Sequence, residues 1–338
     1  MKTIKRSLAA VVLGLLAATT THAAMQTIRN DEFWKTTDGK LIYSQGGGVI
    51  KVGDTWYWYG VKYAGAVTYA ANPTAKNGDI GFQGVTCYSS KDLVNWKDEG
   101  LTVQPNQAGG WVGRIGVVYN ANTKQYVLAG QGNGGEYFAY GPGPAEPFKP
   151  SATQTEMPFF VNGGTGDQTT FQDDDGKAYV ICSNVSGRSN LYVAPLRASD
   201  YLQIDPNPTR VFRGTGREGN AMFKYDGTYY FCSSDLHGWN TSQTYCISSK
   251  NILGPYGSEF VLDGTEKDFS HVTQTGFFIT VKGTKNSFVI FAGDRWSNFA
   301  GNGIGYNQWM PVTFENGKPR FRSYSEWKFD AITGEWAV

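Results

Sequence analysis

Asp226-Gly227-Thr228-Tyr229-Tyr230-Phe231 reads as a tight turn running straight into a strand. An Asp-Gly pair tolerates the left-handed backbone of a two-residue hairpin turn. The β-branched and aromatic residues after it suit a pleated, half-buried surface. The pattern recurs in Gly53-Asp54-Thr55-Trp56-Tyr57-Trp58-Tyr59, in Thr123-Lys124-Gln125-Tyr126-Val127-Leu128 and in Asp175-Gly176-Lys177-Ala178-Tyr179-Val180-Ile181. A fifth copy is Thr284-Lys285-Asn286-Ser287-Phe288-Val289-Ile290. From Trp56 through Tyr126, Tyr179 and Tyr229 to Phe288 the steps are 70, 53, 50 and 59 residues. That is room for one four-stranded blade per step. Five copies predict an all-β, five-bladed β-propeller, in which repetition closes the ring and leaves few open sheet edges.

Composition agrees with an all-β chain. Aromatic residues make up 15% of 338, there are 43 glycines, and only 17% of residues are charged. A net charge of +1 gives no electrostatic reason to expect a nucleic-acid partner. Basic residues up to Arg6, an apolar run from Leu8 to Ala18 and the small-residue site Thr21-His22-Ala23 predict a signal peptide over 1–23. The run is too short to span a membrane. The expected product is a single domain over 24–338, periplasmic or secreted and off the membrane once the leader is removed. Export permits disulfides among Cys87, Cys182, Cys232 and Cys246, which allow three pairings. Cys232 and Cys246 could face each other across neighbouring strands, or all four could be buried and reduced.

The chemistry-bearing residues cluster just before or after the repeated strands, where blade-top loops converge on a channel. Gln45 opens Gln45-Gly46-Gly47-Gly48, ahead of the first copy and its Tyr59. Asp167 precedes the third copy, Glu218 the fourth and Gln274 the fifth, so these three are expected at equivalent places in successive blades. Glu218 sits in Gly214-Thr215-Gly216-Arg217-Glu218-Gly219-Asn220, a loop carboxylate at the mouth of a rigid strand. Acid catalysis needs that arrangement, because the scaffold fixes the group and its neighbours tune its pKa. His237-Gly238-Trp239 follows the fourth copy and Asp294-Arg295-Trp296 the fifth. An indole there offers a flat face to the C–H face of a sugar.

Six ordered pieces resemble glycoside hydrolase family 43, most nearly its exo-β-1,3-galactanase branch, over nearly the whole mature chain. They are Gln45-Gly46-Gly47-Gly48 with Tyr57-Trp58-Tyr59-Gly60, Cys87 to Trp96, Phe171 to Tyr179, Arg217 to Lys224, Thr273-Gln274-Thr275 and Gly293-Asp294-Arg295-Trp296. The resemblance implies Glu218 as general acid, Asp167 as the carboxylate that orients it and raises its pKa, and Gln274 as the holder of the nucleophilic water. Substrate contacts are expected from Gln45, Tyr59, His237, Trp239, Asp294, Arg295 and Trp296, at their places beside the repeated strands. Such enzymes require no cofactor, though many carry a structural cation in the channel. Nothing in this sequence demands one, and His271 is a weak candidate ligand. The chain departs from the branch where Gln45 replaces His, Val61 and Gly113 replace two sugar-binding Glu residues, and His237 replaces Thr.

The expectation is therefore an exo-acting, inverting glycoside hydrolase on plant-type polysaccharide, with galactan or arabinogalactan side chains as substrate. Two alternatives stand beside it: an α-L-arabinofuranosidase on the same scaffold, and a carbohydrate-binding propeller without catalysis.

Overall fold

The computed structural model describes residues 25–75, 77–296 and 306–338. The expected leader, 1–23, lies outside the described residues. Each repeated motif is the turn and second strand of a hairpin. The first blade is β2 (Gln45–Val52), β3 (Thr55–Tyr63), β4 (Phe82–Ser90) and β5 (Lys97–Val103), after the short β1 (Gln26–Arg29). The second is β6 (Val112–Asn120), β7 (Gln125–Gly132), β8 (Gly135–Gly141) and β9 (Lys149–Pro150). The third is β10 (Thr165–Gln172), β11 (Ala178–Asn184), β12 (Asn190–Pro195) and β13 (Thr209–Arg213). The fourth is β14 (Glu218–Tyr225), β15 (Thr228–Ser234), β16 (Thr244–Ser249) and β17 (Phe260–Val261). The fifth is β18 (Gln274–Lys282), β19 (Ser287–Asp294), β20 (Asn307–Glu315) and β21 (Lys318–Phe321). A helix α1 (Ala64–Ala71) is inserted between β3 and β4.

The expected five blades are corrected to six. A further three-stranded sheet joins β1 to β22 (Glu326–Phe329) and β23 (Trp336–Ala337). It carries no copy of the motif, because its strands are two to four residues long and its first member comes from the opposite end of the sequence. β18 still lies against β2, so the first strands of the five four-stranded blades wall the channel. The sixth sheet wedges between the first and fifth blades. There Ile28, Trp327 and Phe329 bury against Trp58, Trp96, Phe277 and Trp309. Burying that aromatic surface stabilises the closed ring. Buried Asn30 fixes the junction: its amide donates to the carbonyls of Trp309 and Tyr324, and its oxygen accepts from Trp309 N–H at 2.9 Å.

The alternation read from the motif holds in the core. Val180 and Cys182 pack toward the second blade, while Tyr179 and Ile181 pack toward the fourth. Cys232 and Cys246 are direct cross-strand partners on β15 and β16, joined as a disulfide. Cys87 and Cys182 are buried free thiols.

Candidate active site

A repeated irregularity builds the site. Near the start of each channel-lining strand, three steps along that strand match two along its neighbour. The shift falls between Gln45 and Gly48, Gly113 and Gly116, and Thr165 and Gln168. It recurs between Glu218 and Ala221, and in the fifth blade between Thr275 and Phe277, where two steps match one. A bulge bends its strand and re-aims its side chains, so five bulges turn five sets of side chains toward the channel mouth. Glu218 and Gln274 hold the same register position, as expected. Asp167 does not: Thr165 holds that position in the third blade, and Asp167 lies two residues on, inside the bulge.

The bulge of the fourth blade needs Gly219. Its φ is +58°, and a Cβ there would sit 2.6 Å from the Thr275 carbonyl oxygen. That left-handed backbone aims the Gly219 N–H at Asp167 Oδ2, 3.1 Å away. Asn220 next to it donates to the Asp167 carbonyl at 2.7 Å. The strand that carries Glu218 and the strand that carries Asp167 are thus bonded to each other where these two carboxyl groups meet.

Two arginines complete the cluster. Buried Arg114 places Nε 3.1 Å from Asp167 Oδ2 and Nη1 3.6 Å from Asp294 Oδ2. It also donates to Gln274 Oε1 and to the Thr275 carbonyl, each at 3.1 Å. Its guanidinium stacks on Trp296, 5.4 Å from the ring centre. Arg188 donates to Asp167 Oδ1 and lies 3.4 Å from Glu218 Oε2. Burial pushes Asp167 up, but these two guanidinium groups outweigh it and hold the carboxyl below its ordinary value. Glu218 goes the other way: burial first, then the negative Asp167, raise it to about 7, against the opposing pull of both arginines. Two carboxyl groups whose environments separate their pKa values mark an acid paired with an anion.

Glu218 Oε1 accepts from Gln274 Nε2 at 3.0 Å and from the His237 backbone N–H at 3.2 Å. Gln274 also donates to the Gly238 carbonyl. Gln274 is therefore clasped to the acid. Its amide is taken up by the Glu218 carboxyl and the Gly238 carbonyl.

A cavity of about 1080 Å³ opens over the cluster, and Glu218, Asp167, Gln274, Trp239 and Trp296 all line it. Trp239 stands edge-on to Trp296, ring centres 5.0 Å apart. Other expected contacts lie elsewhere. Tyr59 is in the core of the first blade, its hydroxyl donating to the Pro144 carbonyl at 2.6 Å. The imidazole of His237 meets the Thr241 carbonyl at 3.1 Å, so only its backbone serves the site. Buried Asp294 accepts from Gly46 N–H at 3.1 Å beneath the cavity; burial raises it to about 6, with Arg114 opposing. Arg295 is buried off the cavity wall, bonded to Asp31 at 2.8 Å and to the carbonyls of His271 and Val272. Gln45 is buried at the head of β2, opposite Val61, and does not line the cavity. Both ring nitrogens of His271 are engaged, by Asp31 at 3.0 Å and Ser323 at 2.6 Å, so it does not fit a channel cation. The sequence reading missed Arg114, Arg188, Tyr63 and Trp111, all on the cavity wall. Arg114 sits at a departure from the resemblance, which was the one signal available for it.

The model of glycosyl hydrolases family 43 matches residues 31–309. The chain belongs to glycoside hydrolase family 43. Family 43 membership makes it a glycoside hydrolase, acting on carbohydrate, and sets aside the binding-only alternative. Solved structures place it among similar family members. An exo-β-1,3-galactanase from Clostridium thermocellum is 27% identical with a TM-score of 0.78, over 92% of this chain and 68% of that one. A family 43 β-1,3-galactosidase is also 27% identical with a TM-score of 0.73, over 91% of this chain and 64% of that one. An exo-β-1,3-galactanase from Phanerochaete chrysosporium, solved with β-1,3-galactotriose, shares the fold at 23% identity and a TM-score of 0.78, over 92% and 70%.

Proposed function

We propose that this family 43 enzyme is an exported, exo-acting galactan 1,3-β-galactosidase that works with inversion. The carrying observation is the Glu218–Asp167 pair at the floor of the aromatic-walled cavity, one carboxyl raised to about 7 and the other held as an anion. Protonated Glu218 gives its proton to the oxygen of the leaving sugar. Asp167 keeps that proton on Glu218 until the glycosidic bond stretches, and its charge favours the oxocarbenium-like transition state. Gln274 and the His237 N–H occupy Oε1, while Oε2 meets only the longer 3.4 Å contact from Arg188, which makes Oε2 the oxygen placed to carry the proton. Asp167 is engaged by Arg114, Arg188 and the Gly219 N–H, so water rather than a carboxylate is the nucleophile, which supports inversion. Galactose as the released sugar rests on the similarity to galactan-acting enzymes.

A pocket for a furanose is the second reading. Val61 is sealed in the core, and the space beside Gly113 is filled by Trp111 and the Tyr63 hydroxyl. Chromatography of digests of β-1,3-galactan, arabinogalactan and arabinan, with Glu218→Ala as control, separates the two. Galactose from the wild type alone is the expected result. Arabinose alone would replace the galactose reading. Proton NMR of the first-formed anomer tests inversion, and an α-anomer is expected from a β-galactoside.

A further inference from the structure

Among the described residues five charged side chains line the cavity, and four of them pair with one another. Arg114 pairs with Asp167, and Arg188 with both Asp167 and Glu218. The fifth is Asp79. Among the described residues no Lys, Arg or His lies within ion-pair distance of it, and it is exposed. It reaches the cavity from the segment between α1 and β4, on the side walled by Tyr63, Phe82 and Trp111. That wall presents rings where a sugar also needs hydroxyl acceptors.

The segment is built to hold this carboxylate still. The Gly65 N–H donates to the Asp79 carbonyl and the Ala64 N–H to the Gly81 carbonyl, each at 2.9 Å. A Cβ on Gly65 would stand 2.4 Å from the Asp79 carbonyl oxygen and 2.3 Å from Asn77 Oδ1, so the loop lies flush on the first turn of α1. Asp79 Oδ1 accepts from Gly81 N–H at 2.8 Å, which leaves Oδ2 for a ligand. A preorganised carboxylate with no cationic partner among the described residues, set beside aromatic faces, suits a sugar, which offers hydroxyl donors on its edge and C–H groups on its face.

We infer that Asp79 is a specificity-determining residue, accepting hydrogen bonds from hydroxyls of the sugar that is cleaved off. The inference rests on the glycosidase reading of the cavity, but not on which sugar is released. Product analysis first fixes that sugar and tests the galactose reading by itself. The 4-nitrophenyl glycoside of that sugar and its monodeoxy analogues are then compared in wild type, Asp79→Asn and Asp79→Ala. Asn keeps the acceptor for Gly81 N–H, so it removes charge without freeing the loop. Both variants should lose about 10- to 100-fold in kcat/KM on the parent glycoside, mainly through KM, a size fitting one bond to a charged acceptor. One deoxy analogue should be cut equally by all three proteins, because its missing hydroxyl is the one Asp79 binds. Values of kcat/KM within twofold of wild type in both variants would overturn the inference. So would a loss that is uniform across all the deoxy analogues, or one seen on oligosaccharides but absent from the aryl monosaccharide.

Discussion

Glu218 shows how a carboxyl becomes an acid near neutral pH. Its elevation is a balance, so each neighbour has a signed effect. Arg188→Ala removes a cation that favours the ionised form, so the alkaline limb of kcat/KM should move above pH 7. Asp167→Asn removes an anion that opposes ionisation and leaves two arginines in place, so the limb should move below 7. A pH–rate profile of each variant reads both directions, and unmoved limbs would mean that Glu218 is not the titrating acid. Stability follows the same sign. A carboxyl raised from 4.5 to about 7 on folding contributes fully below 4.5, and that contribution is lost as pH rises through 7. Glu218→Gln has no such loss. Its melting temperature relative to wild type should therefore climb between pH 5 and 8, while turnover falls about 10²- to 10⁴-fold. At this scale the sequence singled out Glu218, Asp167 and Gln274, which the structure brings together on one cavity wall, because each is polar near a strand head. It did not disclose Arg188, which reaches Asp167 and Glu218 from the turn between β11 and β12. Tyr59 misled because an aromatic on a channel-proximal strand can face either way, and here it faces Pro144.

Among the elements, the bulged strand carries the site. Gly219 occupies a conformation that a side chain strains, against a carbonyl oxygen 2.6 Å from where its Cβ would be. Gly219→Ala should cost about 1–3 kcal/mol. It should also weaken the N–H bond that fixes Asp167, so activity falls further than stability alone explains. Denaturant titration beside kinetics at a temperature where both proteins are folded checks this. Hairpins were legible because a turn and an alternating strand write themselves into six contiguous residues. Bulges were not, because the extra residue shows only when two strands are laid side by side. That is why Asp167 looked equivalent to Glu218 and Thr165 did not stand out.

For the whole molecule, the sixth sheet is what five motif copies could not announce. Its strands are too short for a periodic signal, and their pairing spans nearly the full chain. It nonetheless completes the core between the first and fifth blades. Trp327 is fully buried there, with its indole N–H donating to the Trp309 carbonyl at 2.8 Å. Trp327→Ala should cost about 3–5 kcal/mol through the cavity left and the bond lost. Calorimetry should show one transition at lower temperature; an early transition for this sheet alone would mean that the ring closes without it.

That sheet also sets an order of events during synthesis. Arg29 pairs with Glu326, 297 positions later. At about 5–20 residues per second, β1 leaves the ribosome roughly 15–60 s before its partner exists. For that interval Gln26-Thr27-Ile28-Arg29 is an unpaired edge while the blades behind it are made one at a time. The first strand to emerge is among the last to find its place.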